Sequence, residues 1–390
     1  MNPIKKLSAA DYNEIFELSQ FAFQYKLSEA DLLKKKEEAE RHIIWGWMEE
    51  GRIAAKLHLI PLSVYINGKH FEMGGVSAVA TWPEYRRNGM VKQLLAHAIK
   101  HMKKNGQMLS YLHPFSVPFY RKFGWEVVFN EKHYTIPMEA LKRKWDAAGY
   151  VRRTTVDIEL FHSIYTDFAK QLNGSLVRDE KWWKQRVLAK DMMMSVCYDD
   201  NNRPEGYIFY NVKDRIFEVK ELVYRSLNGW KLLLNFIANH DSMAKEVKMT
   251  VPENDMLPLL IGEPRFKQAV EPYFMGRIVD VPNFLKSYPF NEDLPDATLL
   301  LHVKDHFLPE NSGSYDINVE KGSIRIFRSD SDTYKTEGIH CDVQQLTSIL
   351  LGYRRSHELA KIGLIQADTN TLDILEKLIP VNQTFLADYF

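Results

Sequence analysis

Only two of the 390 residues are cysteine, Cys197 and Cys341, and they stand 144 positions apart. Such a pair excludes a disulfide framework or a Cys-x-x-Cys metal site and suits a reducing compartment. Neither sign of charge is in excess: 51 Lys+Arg face 51 Asp+Glu, a formal net charge of zero. That balance excludes a general polyanion binder, so neither nucleic acid nor an anionic membrane is an expected partner. Long apolar runs are also missing. The start, Met-Asn-Pro-Ile-Lys-Lys, leads into Leu-Ser-Ala-Ala-Asp instead of the apolar segment of a secretory signal. Apolar stretches such as that around Leu299–Leu301 fall far short of the roughly 20 residues that cross a bilayer. A cytoplasmic protein is expected. Hydrophobic residues make up 45% of the chain, enough for sizeable cores. At about 150 residues per domain, its length suggests two or three domains.

The first 140 or so residues carry alternating strand and helix signals. Apolar residues recur at helical spacing from Asp11 to Phe23, and a second helix starts at Ser28, where Ser28 with Asp31 resembles a capping box. Its Lys34–Glu38 charge run reads as a solvated helix face. Strands are expected at 53–60, 64–66, 70–73 and 76–80, with Asn67-Gly68 as a hairpin turn because both turn positions need positive φ. Met90, Val91, Leu94, Leu95, Ala98, Ile99 and Met102 share one face of a helix. A strand at 108–112, a short helix at 116–123 and a strand at 125–129 follow. The middle third repeats this order more weakly: strands at 195–198, 206–212 and 217–224, a helix at 228–239 and a strand at 247–251. A duplicated domain is suggested. Pro282, Pro289, Pro295 and Asn291–Asp293 then read as a linker-like boundary. Beyond it are strands at 299–303, 315–319 and 324–327 and helices at 343–351 and 372–378. The chain ends Phe385-Leu386-Ala387-Asp388-Tyr389-Phe390. Tails are usually polar and loose, so this apolar one is expected to be packed.

Chemistry concentrates in Val76–Val91. A strand ends, a basic turn with a glycine follows, and an amphipathic helix begins. Unsatisfied N–H groups at a helix start, with the positive end of its dipole, make an anion site. Gly89 lets the backbone approach closely, and Arg86 or Arg87 can add charge-assisted bonds to phosphate. On spacing alone, a plain surface turn remains an alternative. About thirty residues on stands Pro118-Phe119-Tyr120-Arg121-Lys122-Phe123-Gly124-Trp125.

Together these elements resemble the GCN5-related N-acetyltransferase (GNAT) superfamily. Arg86-Arg87-Asn88-Gly89-Met90-Val91 lies on its Q/R-x-x-G-x-G/A signature, with Val91 departing at the last position, and Tyr120–Trp125 lies on its Tyr-x-x-x-Gly-Phe element. The whole order is similar to that of the enhanced intracellular survival (Eis) family, which shares the Arg-Arg-x-Gly turn without the final small residue. The resemblance implies an α+β fold with tandem GNAT-like mixed-sheet domains and a C-terminal sterol-carrier-protein-like domain. The expected division is 1–150 for the acetyl-CoA domain, 151–285 for a degenerate copy and 286–390 for the sterol-carrier-like domain. It also implies a homo-oligomer, a hexamer in the family, and acetylation of primary amines, those of aminoglycosides included.

Carried over residue by residue, Val79, Ala80 and Thr81 would offer strand backbone to the pantetheine arm of acetyl-CoA. Arg87, Asn88, Gly89, Met90, Val91 and Lys92 would cradle the pyrophosphate, and Phe115 and Ser116 would lie near the thioester. Leu222–Gly229 in the middle copy has lost the basic pair, so no second cofactor site is expected. The resemblance makes Tyr120 the general acid for the departing thiolate; a phenol's ordinary pKa of about 10 is near enough to a thiol's. It makes the α-carboxylate of Phe390 the base for the amine. A packing role for either aromatic is the alternative.

An acceptor wall is expected from Phe21, Phe23 and Tyr25 with Trp45 and Trp47 nearby, and Glu17, Glu29 and Asp31 could attract a cationic amine. The pairs His97/His101 and His302/His306 lack the context of a metal site, and no metal is expected. The competing reading, from another class, is a lipid- or partner-binding protein on a vestigial acetyltransferase fold.

Overall fold

The computed structural model describes residues 3–188, 192–292, 295–329 and 337–390. The first sheet draws on β1 (Ile4–Lys6), β2 (Ile43–Glu49), β3 (Arg52–Ile66), β4 (Lys69–Thr81), β5 (Leu109–Leu112) and β6 (Glu126–Val127). The second is made of β7 (Asn130–Pro137), β8 (Tyr150–Arg153), β9 (Met193–Tyr198), β10 (Pro204–Lys213), β11 (Ile216–Tyr224), β12 (Glu246–Val251) and β13 (Lys267–Pro272). β14 (Met275–Ile278) returns to the first sheet. The third holds β15 (Ala297–Lys304), β16 (Gly313–Glu320), β17 (Ser323–Ser329) and β18 (Ile339–Asp342). Strand orders are β1-β2-β3-β4-β5-β14-β6, β13-β7-β12-β11-β10-β9-β8 and β17-β16-β15-β18.

Asn67 and Gly68 turn β3 into β4 with φ of 47° and 75°, the conformation the pair favours. The runs expected as four short strands are these two long ones. Pro61 stays in register opposite Gly74, and the chain continues past it. Gly74 and Gly75 lie inside β4 because each face of the sheet is closely approached there. A Cβ on Gly74 would fall 2.2 Å from Met102 Sδ, and one on Gly75 would fall 2.7 Å from the Phe390 ring.

Four helices shape the first sheet's surroundings: α1 (Tyr12–Phe23), α2 (Glu29–Ala39), α3 (Met90–Lys104) and α4 (Val117–Arg121). Ser28 caps α2, its Oγ accepting from the Asp31 N–H at 3.1 Å. The apolar stripe of α3 is buried as its spacing requires, except that Val91 is half-buried. Three antiparallel strands, a helix and a parallel fourth strand occur twice: β2-β3-β4, α3 and β5, then β9-β10-β11, the helix Leu227–Ala238 and β12. The two sheets trade segments. β7 follows directly from the first sheet yet pairs with β12 and β13, while β14 inserts between β5 and β6. Residues 130–137, inside the span expected for the first domain, thus belong to the second sheet.

The proline-rich boundary is not an open linker. Pro282 stands in the first turn of a helix, Val281–Ser287, where its missing N–H costs nothing. Asp280 caps that helix, and Val281, Phe284 and Leu285 are buried. Asp293, from the same stretch, lies outside the described residues. The terminal segment is packed. Asn173 N–H donates to Gln383 O at 2.8 Å, Phe385 N–H to Asn173 O at 3.0 Å, and Ser175 Oγ to Phe385 O at 2.9 Å.

Candidate active site

β4 and β5 are hydrogen-bonded only over Met73–Gly75 with Leu109–Tyr111. Beyond these pairs the parallel strands part, and β4 carries a bulge at Ala78, whose φ is 48°. The gap opens a cleft of about 730 Å³ floored by Val79, Ala80 and Thr81 and walled by Phe115, Phe119 and Phe123. At its far end lies the turn before α3. Arg87 and Gly89 have φ of 69° and 76° there, and Arg86, Arg87, Asn88 and Gly89 are exposed. A Cβ on Gly89 would meet nothing within 4 Å, so the glycine serves the left-handed conformation, not a close contact. It caps α3 without a side chain, leaving the first N–H groups of the helix unclaimed by one. Arg87, Asn88, Gly89, Met90, Val91 and Lys92 all line this end.

The corresponding start in the second domain is closed. Ser226 Oγ takes the Gly229 N–H at 3.1 Å, and Gly229 is buried against the Glu205 backbone.

A second cavity, about 550 Å³, shares Phe23, Val79 and Phe115 with the cleft and contains Tyr120 and Phe390. Tyr120 comes from α4, its ring 3% exposed and set among Phe115, Phe119 and Trp125. Burial raises its pKa above the usual phenol range, which holds it protonated. The end of α4 is fixed from far away. The buried guanidinium of Arg277, on β14, bonds both the Phe123 carbonyl and the Asp305 carboxylate. Phe390 is 4% exposed and packs against Phe274 at 4.9 Å and Trp182 at 6.2 Å.

Arg178 anchors the last residues. Its Nε donates to both Asp388 oxygens at 3.0 and 3.2 Å, and its Nη atoms donate to Glu221 at 2.9 and 2.5 Å. Trp182 Nε1 adds a bond to Asp388 Oδ1 at 2.7 Å. Burial still raises the Asp388 pKa, with Arg178 opposing it.

Of the acceptor wall expected from sequence, Phe23 and Tyr25 line the second cavity. Phe21 instead packs on Trp82 at 4.8 Å. Trp45 and Trp47 belong to the opposite side of the sheet, where Trp45 meets His97 and His101 edge-on, each at 5.0 Å. Strand alternation puts them there. Glu17, Glu29 and Asp31 lie outside the cavity lining, which takes Glu38 instead. Ser116 lines neither space; it is the N-cap of α4. His302 bonds Ser314 Oγ at 2.7 Å, while His306 lies 3.7 Å from Asp342.

Two histidines of this cavity and a buried lysine behind them carried no sequence assignment. His42 and His58 face each other through their Nδ1 atoms at 3.2 Å, and His58 Nε2 is 3.2 Å from Lys56 Nζ, which donates to Ala78 O at 2.9 Å. Burial lowers the Lys56 pKa to about 7 and that of His42 to about 3. The available signal was polar residues at 56 and 58 in a strand otherwise apolar on both faces.

Comparison with known proteins agrees with this geometry. Residues 3–128 and 174–278 each match a family described as an acetyltransferase (GNAT) domain, and 281–387 match a sterol carrier protein domain. N-acetyltransferase Eis of Mycobacterium tuberculosis is 24% identical over 315 residues, covering 76% of this chain and 75% of the relative. An uncharacterized N-acetyltransferase of Streptomyces avermitilis is 22% identical over 350 residues, covering 82% and 81%. Among solved structures, a probable N-acyltransferase of Enterococcus faecalis superposes with a TM-score of 0.91 at 26% identity, covering 99% of both chains. Eis1 of Mycobacterium abscessus shares the fold, with a TM-score of 0.82 at 21% identity over 99% of this chain and 100% of that one. With two acetyltransferase domains followed by a sterol carrier domain, the chain belongs to the GCN5-related N-acetyltransferases and is an N-acetyltransferase of the Eis type.

Proposed function

We propose that the protein transfers the acetyl group of acetyl-CoA to a primary amine of a small molecule by direct attack. One observation carries this reading: the cleft ending at the basic turn and the cavity holding Tyr120 meet at Val79 and Phe115. The cleft suits the cosubstrate. The backbone of Val79–Thr81, laddered to β3 on one side and unpaired on its β5 side, can pair there with the amides of a pantetheine arm. The α3 start and Arg87 supply donors and charge for a pyrophosphate. The amine approaches from the second cavity.

In the reaction the amine nitrogen bonds the thioester carbon and the carbon–sulfur bond breaks. Tyr120 donates its proton to the departing sulfur. Its raised pKa keeps that proton in place until charge builds, and the same desolvation makes the nascent thiolate a stronger base. The α-carboxylate of Phe390 accepts the amine proton. Its ordinary pKa of about 3.5 makes it a weak base, so it works through placement and desolvation. A homo-oligomer is proposed from the family resemblance and is checked by light scattering.

Thiol release from acetyl-CoA is the test, run with a panel of primary amines that includes aminoglycosides and polyamines. Tyr120→Phe should lower kcat by about 10²–10⁴-fold with acetyl-CoA still bound. A chain extended by a few residues after Phe390 should fold and lose turnover. Full activity in the extended protein removes the carboxylate from the mechanism.

A further inference from the structure

The charges of the second cavity are arranged unevenly. Its charged lining side chains are Lys35, Glu38 and Arg186. Glu38 is already used twice: Lys35 Nζ lies 2.8 Å from its Oε2 and Arg186 Nη1 3.5 Å from it. Among the described residues one carboxylate therefore serves both cations on this wall. Behind it runs the chain of His42, His58 and Lys56. Among the described residues no carboxylate pairs with any of the three. Burial and the nearby cations Arg186, Arg41, Lys35 and Lys56 all lower the His42 pKa.

Hydrogen bonding gives the chain a direction. Lys56 Nζ donates to Ala78 O, and with His58 Nε2 accepting from the same nitrogen, His58 Nδ1 carries a proton toward His42 Nδ1. His42 then keeps its N–H on Nε2, the end not engaged by His58. The line of donors thus runs outward from a buried lysine to a histidine that lines the cavity. An anion at this wall would meet aligned donors and two cations. A polycation would meet the same donors and cations at this wall, whose own carboxylate, Glu38, is already paired.

The chain's last residue, Phe390, lines the same cavity. The Phe390 ring lies over Gly75, and His58 stands opposite Ser77, two residues along β4 on the same face. Two residues of strand span about 7 Å. Phe390 and the basic wall therefore line one cavity, with Phe16, Phe23 and Tyr25 as apolar sides.

We propose that the acceptor is an amine that also bears an anionic group, carboxylate or phosphate, and that Lys35, Arg186 and the His42–His58–Lys56 chain form the subsite for that group. The proposal rests on the N-acetyltransferase reading above, and its test includes an arm that needs no turnover. In that arm the full-length protein saturated with CoA is titrated calorimetrically with 3-phenylpropionate and with 2-phenylethylamine, which match in shape and differ in charge. The anion should bind at least about tenfold more tightly. Arg186→Glu with Lys35→Glu should abolish that preference, while Arg186→Lys keeps it; Lys35→Gln, which adds no negative charge to α2, should weaken it. Equal affinities, tighter binding of the amine, or no binding of the anion at millimolar concentration overturns the subsite.

The turnover arm compares phenylalanine with 2-phenylethylamine, and both with kanamycin, as acetyl acceptors. Higher kcat/KM for the acid-bearing member supports the proposal, and preference for kanamycin or the bare amine refutes it. If no amine is acetylated, the N-acetyltransferase reading fails, and the calorimetric arm still decides the subsite.

Discussion

Arg178→Met should release the terminal segment and with it the carboxylate proposed as the base. The arginine side chain is 1% exposed and makes four hydrogen bonds of 2.5–3.2 Å to Asp388 and Glu221. Methionine fills most of the space and leaves two buried carboxylates facing each other without a cation. Breaking a buried pair from one side costs about 3–5 kcal/mol. The least expensive relief is for Asp388 to leave, because only two residues follow it whereas Glu221 is held in β11. At 1.4 kcal/mol per factor of ten, the tail-open population should rise by about 10²–10³-fold. Carboxypeptidase A, which removes terminal aromatic residues, reads this directly as the rate of phenylalanine release. Cleavage tracks the open population when reclosing is fast.

The effect should depend on pH. Burial raises the Asp388 pKa, so the closed state binds more protons than the open one, and closure weakens as pH rises. Removing Arg178 takes away the opposing charge and raises this pKa further, so the excess release should be larger at pH 8 than at pH 5. Release of Phe390 at the wild-type rate, with normal kcat, would refute the anchoring argument.

Three further outcomes follow from the same geometry. Gly75→Ala places a methyl 2.7 Å from the Phe390 ring, so kcat should fall at least about tenfold with the KM for acetyl-CoA unchanged in steady-state kinetics. Arg87→Glu, at the exposed turn before α3, should raise the Kd for acetyl-CoA about 10–100-fold in calorimetry and leave the melting temperature within a degree or two, since its side chain is in solvent. Lys56→Met should alter the slope of stability with pH. A lysine lowered to about 7 binds fewer protons folded than unfolded between that value and its usual 10.4, so it makes wild-type stability rise with pH across that window. Denaturant unfolding at several pH values should show the variant losing that rise and gaining on the wild type near neutrality.

Local patterns in the sequence made much of this architecture legible. Asn67-Gly68 named its own hairpin, the α3 stripe named its buried face, and the apolar terminus named itself as packed. Both motifs taken from Arg86–Val91 and Tyr120–Trp125 fall on the two connected spaces of the site. What escaped is set by partners far along the chain. β7 and β14 carry no local mark of which sheet they join. Arg178 meets Asp388 across 210 positions, and Arg277 meets Phe123 across 154. Trp45 and Trp47 were assigned to the acceptor wall by proximity in sequence, but the period of the strand turns them to the α3 side. Lys56 and His58 interrupt an apolar run, and their polar partners, Ala78 O and His42, come from other strands or segments of the chain.

The central claim is tested most directly by following both products of one reaction. The protein is incubated with acetyl-CoA and each acceptor amine, thiol release is measured, and the amine is weighed by mass spectrometry. The account predicts one acetyl group gained by the amine for each thiol released, with both lost together in Tyr120→Phe. Thiol release without an acetylated amine, or acetylation that persists undiminished in Tyr120→Phe, would contradict it.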